Sequence, residues 1–184
     1  MPQRELTPWP KLSSERGPEL IVCRARFDTL TNPRTGRDLR RVVLETPDWV
    51  NVVALTPERE LVVVRQFRFG TSAVTIEIPG GMVDRGEDPL DAGRRELREE
   101  AGYTAGRWTP LGAVEPNPAF QDNLCHHFLA EDARPTHPQE LDSGEDIEVA
   151  TLPLEEVRAR VLAGEIRHAL VLTALSRILD LRIP

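Results

Sequence analysis

The order of strand-like and helix-like segments predicts an α/β protein. The expected form is an α/β/α sandwich with a mixed sheet, preceded by an N-terminal antiparallel β ribbon. Three observations predict it. Short β-branched runs recur between residues 49 and 78, divided by turn residues. A helix with clear start and stop signals spans residues 88–102, and two more apolar-periodic segments close the chain. Further strand-like runs lie between them, so strands and helices interleave as they do when a sheet is covered on both faces. At 184 residues the chain is long enough for one domain with a small N-terminal extension.

Taken in order, residues 1–18 are Pro-rich and polar and read as an extended arm. Residues 19–47 read as a hairpin: ELIVCRARFDTL, the turn signal Asn32-Pro33-Arg34-Thr35-Gly36, then RDLRRVVLET. Apolar and polar residues alternate there, as a half-buried ribbon requires. Arm and ribbon, 1–47, form one segment; the main domain is expected over 48–184. WVNVVALT, LVVVRQFRF and AVTIEI are its first strands. Ile76 to Gly81 ends a strand in a tight, glycine-permitted turn. After the helix come WTPLGAVE, NLCHHFLAED and IEVATLP. Helices are expected over Leu154–Ala163 and His168–Leu181 from their apolar spacing.

Composition excludes several classes. A net charge of −7 argues against nucleic-acid and anionic-membrane binding. No run approaches the roughly 18 apolar residues of a membrane span. The segment MPQRELTPWPKLSSERG has no apolar core of a secretory signal. Cys23 and Cys125 sit in apolar runs and read as buried free thiols, consistent with the cytoplasm.

Residues 81–103 read GMVDRGEDPLDAGRRELREEAGY and carry the chemistry. Asp88 is a good N-cap, Pro89 suits the first helical position, and Asp91 adds negative charge to the first turn. Gly102 closes the helix. Glu96 and Glu100 are four apart and share a face, with Glu99 beside them. Leu90, Leu97 and Ala101 lie on another face, free to pack on a sheet. Three carboxylates on one turn repel each other, which raises their pKa values or demands a cation. Hard divalent ions take oxygen ligands, and Mg²⁺ uses few carboxylates plus substrate phosphates. In an arbitrary helix the blander reading wins: a solvated acidic face balanced by Arg94, Arg95 and Arg98. The spaced Gly81 and Glu87 reverse that here.

That segment resembles the Nudix box, G-x5-E-x7-R-E-U-x-E-E-x-G-U, with U a bulky apolar residue. Gly81, Glu87, Arg95, Glu96, Glu99, Glu100 and Gly102 match, and Tyr103 replaces the usual aliphatic. At a usage of roughly one in fifteen each, chance agreement is on the order of 10⁻⁸ per starting position. The resemblance implies the sandwich fold and a metal-dependent hydrolase. It makes the Gly80 carbonyl, Glu96, Glu99 and Glu100 the metal ligands, for Mg²⁺ with Mn²⁺ as the alternative. Glu99 and Glu100 then serve catalysis as well, Glu99 through a further metal or by orienting the attacking water. Gly81, Glu87, Arg95 and Gly102 are structural, Glu87 and Arg95 as an ion pair fixing the loop on the helix. The reaction is metal-activated attack of water on phosphorus, giving two monophosphates. Some family members draw the general base from a box glutamate and others from a later loop. Here that loop is QELDSGEDIEV, and Glu145 is the candidate, ahead of Glu140 and Asp146.

Within the superfamily the chain is similar to the ADP-ribose and nucleoside diphosphate sugar pyrophosphatase branch. The N-terminal ribbon, the strand VVVRQFRFG and Pro118, fifteen residues past the box, carry that likeness. ADP-ribose-specific members read Ser-Pro-Gly-Phe there, with an acidic residue soon after. Pro118 and Phe120 match and are candidate substrate contacts. Ala119 replaces the glycine, and Asn123 stands where Glu is common. A broader nucleoside diphosphate sugar hydrolase fits as well. Arg68 reads either as a phosphate or ribose contact or as an ion pair with Glu77. Glu77 reads either as a substrate contact or as a brace. Trp49 either stacks on a base or is a half-buried strand residue. The ribbon exposes β edges that need covering, and such ribbons exchange across a two-fold in this branch, so a homodimer is expected. A GDP-mannose-type pyrophosphatase and a non-hydrolysing nucleotide-sugar-binding module are the alternatives.

Overall fold

The computed structural model describes residues 5–182, so the first four residues of the expected arm lie outside it. Two compact units are present. The smaller joins the chain up to Pro47 with Glu115–Asn123, and the larger holds Asp48–Val114 and Leu124–Pro184.

The smaller unit is a three-stranded antiparallel sheet, β1 (Lys11–Glu19), β2 (Arg24–Thr31) and β3 (Asp38–Glu45), in that order. The expected β2–β3 hairpin is there. The Asn32 carbonyl accepts from Thr35 N and Gly36 N at 3.2 and 2.8 Å, and Gly36 takes the left-handed φ of 69° that closes the turn. β1 differs from the expectation of an arm. Its residues are almost all exposed, so hydropathy gives no sign of it. Backbone pairing to β2 holds it instead, together with one buried acid: Asp28 accepts from Ser14 Oγ at 2.6 Å and pairs with Lys11 at 2.9 Å and Arg26 at 3.1 Å. Those partners, Ser14 first, hold the Asp28 pKa down to about 2.

The larger unit holds β4 (Trp49–Leu55), β5 (Glu60–Arg68), β6 (Ala73–Glu77), β7 (Gly80–Met82), β8 (Tyr103–Thr104), β9 (Arg107–Val114), β10 (Cys125–Glu131), β11 (Arg134–Pro135) and β12 (Ile147–Pro153). Its helices are α1 (Pro89–Ala101), α2 (Leu154–Leu162) and α3 (Ala169–Leu175). The main sheet runs β12-β5-β4-β10-β9. It is mixed: β4 and β10 are parallel, and the other pairs are antiparallel. β8 and β11 form a separate two-stranded pair.

Strand alternation builds the two faces. Val50, Val52, Ala54, Val62 and Phe128 cluster with Ala92, Leu97 and Ala101 of α1. Val53, Leu55, Leu61 and Val63 cluster with Val157 of α2 and Val171, Ala174 and Leu175 of α3. Side chains of a strand point alternately to opposite faces, so successive residues of β4 serve opposite helix layers. This is the expected sandwich. The last helix is shorter than its apolar spacing suggests. It ends at Leu175, and Ile178, Leu179 and Leu181 pack against the core from the turn and irregular chain that follow. Both cysteines are free. Cys125 is buried, with its thiol pushed up to about 12 by burial, whereas Cys23 is half-buried and precedes β2. Among the described residues, no helix is long and apolar enough to cross a membrane.

A fork in the sheet creates the space for a site. β4 and β5 pair only at Leu55–Leu61 and then diverge. β6 continues beside β5, and β7 beside β4. The chain crosses the fork at Ile78–Pro79, where Val52 N donates to the Pro79 carbonyl at 2.8 Å.

Leu97 is fully buried between α1 and the sheet. Leu97→Ala is expected to cost about 2–5 kcal/mol, read by urea denaturation, with the unfolding slope unchanged.

Candidate active site

α1 forms as its sequence directs. The Asp88 side chain accepts from Leu90 N at 2.8 Å, Pro89 opens the helix, and Gly102 ends it at φ 72°. Its apolar stripe lies on the sheet, which forces the flanking Glu96 and Glu100 inward, where both are buried. Burial raises both pKa values: Glu96 moves up, and Glu100 reaches about 8. Glu100 keeps one close partner, the Gly80 N–H at 2.8 Å. Glu96 accepts from Arg95 Nη1 at 2.8 Å. Glu99 is less buried and is held by Arg98 Nη2 at 3.0 Å and Arg95 Nη1 at 3.3 Å.

The two glycines of β7 are needed for space. Neither has a positive φ, which corrects the expectation of a turn that needs glycine's backbone freedom. A Cβ on Gly81 would overlap the Glu96 carboxylate, and one on Gly80 would strike the Val50 carbonyl and Asn51. Arg95 ties the preceding loop to the helix. Its Nε and Nη2 donate to the two Glu87 oxygens, both at 3.0 Å, and Nη2 reaches the Met82 carbonyl at 2.9 Å.

The fork in the sheet encloses a cavity of about 590 Å³. Trp49 and Asn51 of β4, Arg68 of β5, Thr75 and Glu77 of β6, and Gly80, Gly81 and Met82 of β7 line it. Arg167, His168 and Leu170 close the far side. Glu77 is 3% exposed. Arg68 Nε and Nη2 donate to its two oxygens at 2.8 and 2.7 Å, and Thr75 Oγ1 donates at 2.6 Å. Burial pushes the Glu77 pKa up, but these partners outweigh it and leave the pKa lowered. The ion-pair reading of Arg68 is the geometry found, and Glu77 is braced by the same contact. Trp49 is half-buried, as its blander reading expects, and also lines the cavity.

Other expected residues sit elsewhere. Pro118 and Phe120 belong to the smaller unit, in a turn where Gln121 N donates to the Asn117 carbonyl at 2.8 Å. Asn123 is buried there and donates to the Pro47 carbonyl at 3.1 Å. Glu145 is exposed on the loop before β12, yet its charge acts on Glu96, Glu100 and Arg68. Sequence reasoning missed Asn51, Thr75, Arg167 and His168. The last two precede α3 and reach the cavity only through the tertiary fold. The alternating pattern of β4 could have placed Asn51 on the face of Val53.

Among the described residues, no three carboxylate, imidazole or thiol groups converge as a metal cage. Arg95 and Arg98 instead bridge the glutamates. The donor set still fits a hard divalent ion. It is all oxygen, two of its acids are buried with raised pKa values, and the absent Cβ of Gly81 leaves the Glu96 carboxylate its room.

Comparison with known proteins finds the NUDIX domain matched over residues 46–174. The chain is 36% identical over 135 residues to an ADP-ribose pyrophosphatase of Bacillus subtilis (strain 168), covering 73% of each chain. It is 32% identical over 137 residues to a GDP-mannose pyrophosphatase of Citrobacter koseri, covering 70% of this chain and 71% of that protein. A crystal structure of an ADP compounds hydrolase superposes with a TM-score of 0.80 at 23% identity, covering 96% of this chain and 95% of that one. That last likeness speaks to the fold.

The raised acid gives a pH dependence. Glu100 ionises near 8 in the fold against an ordinary 4.5, so folding favours its neutral form. Its contribution is complete below about 4.5 and is lost as pH rises through about 8. The metal-free protein is therefore expected to melt at lower temperature as pH is raised across that window. Glu100→Gln should flatten the slope. A wild-type melting profile equally flat would show that Glu100 ionises freely in the fold.

Proposed function

The chain belongs to the Nudix family, matched over residues 46–174, and on that premise we propose how its residues hydrolyse the diphosphate of nucleoside diphosphate sugars or ADP-ribose. The products are a nucleoside monophosphate and a sugar phosphate. One observation carries the reading: cavity and carboxylates meet at Gly80 and Gly81. Both glycines line the cavity, Gly80 N–H bonds Glu100, and Gly81 abuts Glu96. A diphosphate placed there has its charged centre beside the buried acids and one flanking group in the fork.

The Gly80 carbonyl, Glu96, Glu99 and Glu100 are the residues to hold the family's divalent ion. We assign it as Mg²⁺, with Mn²⁺ as the alternative. When bound, it withdraws charge from the diphosphate and makes water more acidic. Arg95 keeps the Glu87 loop and the helix in one piece, so the acids do not drift apart. Glu145 is the general base: it takes the proton of the attacking water while the water oxygen bonds to phosphorus and the bridging P–O bond breaks. Arg68 is committed to Glu77, which leaves Arg167 as the cavity cation without a carboxylate partner among the described residues. The apolar side of the cavity, Trp49, Met82 and Leu170, suits the flat face of a base or sugar. Two free thiols fit a reducing compartment, and we assign the cytoplasm. Residues 1–47 of the smaller unit are assigned as the dimerisation segment, and Pro118 and Phe120, which belong to the same unit, as substrate contacts.

A panel of ADP-ribose, GDP-mannose and UDP-glucose with Mg²⁺, followed by release of phosphate through a coupled phosphatase, tests the reaction. At least one is expected to be cleaved. Glu100→Gln should lower kcat by on the order of 10²-fold or more, and an equally active variant would refute the assignment. Glu145→Gln is expected to lower kcat by about 10²–10⁴-fold with KM little changed. Sedimentation at micromolar concentration should give a dimer, and a monomer would overturn that assignment.

A further inference from the structure

We propose that Gln139 is a positioning residue: its side-chain amide clamps the loop carrying Glu145 to the turn of α1 that bears Glu99 and Glu100. The proposal rests on the reading of Glu145 as general base.

A helix leaves its last carbonyls without intrahelical partners. In α1 the segment before β12 supplies them. Glu140 N donates to the Glu99 carbonyl at 2.9 Å. Gln139 Nε2 donates to the Glu100 carbonyl at 2.6 Å. Just beyond the helix, Thr136 N and His137 N both donate to the Gly102 carbonyl, at 2.9 and 3.0 Å. Arg98 adds an ion pair to Glu140 at 3.0 Å. The loop is thus the C-terminal cap of the very turn that bears two box glutamates.

Gln139 does something the backbone contacts do not. The same Nε2 also donates to the Ile147 carbonyl at 3.2 Å. Ile147 is buried and opens β12, paired with Gln66 of β5. One amide therefore pins both ends of the segment 140–147: its start beside Glu99 and its finish at the sheet. Glu145 hangs between them in a tight turn, where Glu145 N donates to the Asp142 carbonyl and Asp142 N to the Glu145 carboxylate, each at 2.9 Å. One Glu145 oxygen, Oε2, is held by its own turn, so the carboxylate moves with that turn and its distance from Glu96 and Glu100 is set by the pinned ends. Leucine has the bulk of glutamine but no donor. Glutamate would present oxygen to two carbonyls.

The chemical consequence is one of geometry. A proton acceptor misplaced by about 1 Å can lose as much as 10²-fold in rate. A clamp acting only on Glu145 should therefore affect turnover, not binding, and only while Glu145 is present. That is a coupling, measurable by a double-mutant cycle.

The experiment uses the full chain with Mg²⁺ and ADP-ribose, as wild type, Gln139→Leu, Glu145→Gln and the double variant, with melting temperatures alongside. Gln139→Leu is expected to lower kcat by about tenfold with KM within about twofold. In the Glu145→Gln background the same change should cost less than about twofold. Equal losses in both backgrounds, or losses that follow only the folded fraction, would overturn the clamp and leave Gln139 a stability residue. Normal turnover in Gln139→Leu beside an impaired Glu145→Gln would overturn the clamp alone. Wild-type turnover in Glu145→Gln would remove the base assignment and the clamp with it. Should Gln139→Leu fail to fold, Gln139→Asn carries the same comparison, since it keeps the amide but shortens its reach by one methylene.

Discussion

The guanidinium of Arg95 is the contact on which the site depends. It binds both oxygens of Glu87, the Met82 carbonyl, Glu96 and Glu99. Three chain segments, the end of β7, the loop after it and the helix, thus share one side chain. A planar fork with five donors can do this, whereas a lysine ammonium offers three donors from a single point. The contact has two physical consequences. It lowers the Glu87 pKa, first through the Arg95 hydrogen bond itself, so the loop stays anchored across the ordinary pH range. It also sets positive charge beside Glu96, which offsets part, though not all, of the rise that burial imposes on that acid. Glu100, which Arg95 does not touch, has the pKa that rises to about 8.

The forked sheet explains why the acids meet a cavity at all. A continuous β4–β5 ladder would fill the space with paired backbone. Because the strands part after Leu55–Leu61, β7 can enter beside β4 and carry Gly80 and Gly81 to the helix. The opening between the two arms then becomes the cavity. The Arg68–Glu77 pair lies on the β5–β6 arm, with the acid fully buried. Only the acid of the pair is buried, so loss of Arg68 would leave the Glu77 carboxylate inside without its two-pronged donor. So the pair ties β5 to β6 on one arm of the fork, and Arg95 ties β7 to α1 on the other.

What is legible in the sequence is local. Asp88, Pro89 and Gly102 mark the ends of α1 because caps depend on neighbouring residues. The β-branched runs mark β4 and β5 because burial on both faces demands them. β1 has the sequence of an arm, because its stability lies in backbone pairing and in Asp28, neither of which leaves an apolar period. Apolar spacing overstates the last helix, because Ile178, Leu179 and Leu181 are apolar for packing, whatever backbone carries them. In the site, the acids of the box are legible from their spacing. The ion pair of Arg68 with Glu77 is one of two readings, since strand neighbours are not fixed until register is. Arg167, His168 and Gln139 are not legible. Each reaches its place through contacts between segments far apart in the chain.

The paired glycines show how a motif position acquires its physical meaning. Glycine is needed in proteins either for left-handed backbone or for room. Gly102 answers the first need, with φ 72° at the end of α1. Gly80 and Gly81 answer the second, since neither has positive φ and any Cβ would meet the opposite strand or the Glu96 carboxylate. That distinction links the glycines to the acids. Glu96 and Glu100 are buried because the apolar stripe of α1 seats them against the sheet, and the sheet can accept them only where it presents bare backbone. Gly81 gives Glu96 its volume, and Gly80 gives Glu100 its one N–H. The glutamates at 96 and 100 and the glycines at 80 and 81 are therefore a single packing solution, in which bare backbone makes room for one buried carboxylate and supplies an N–H to the other.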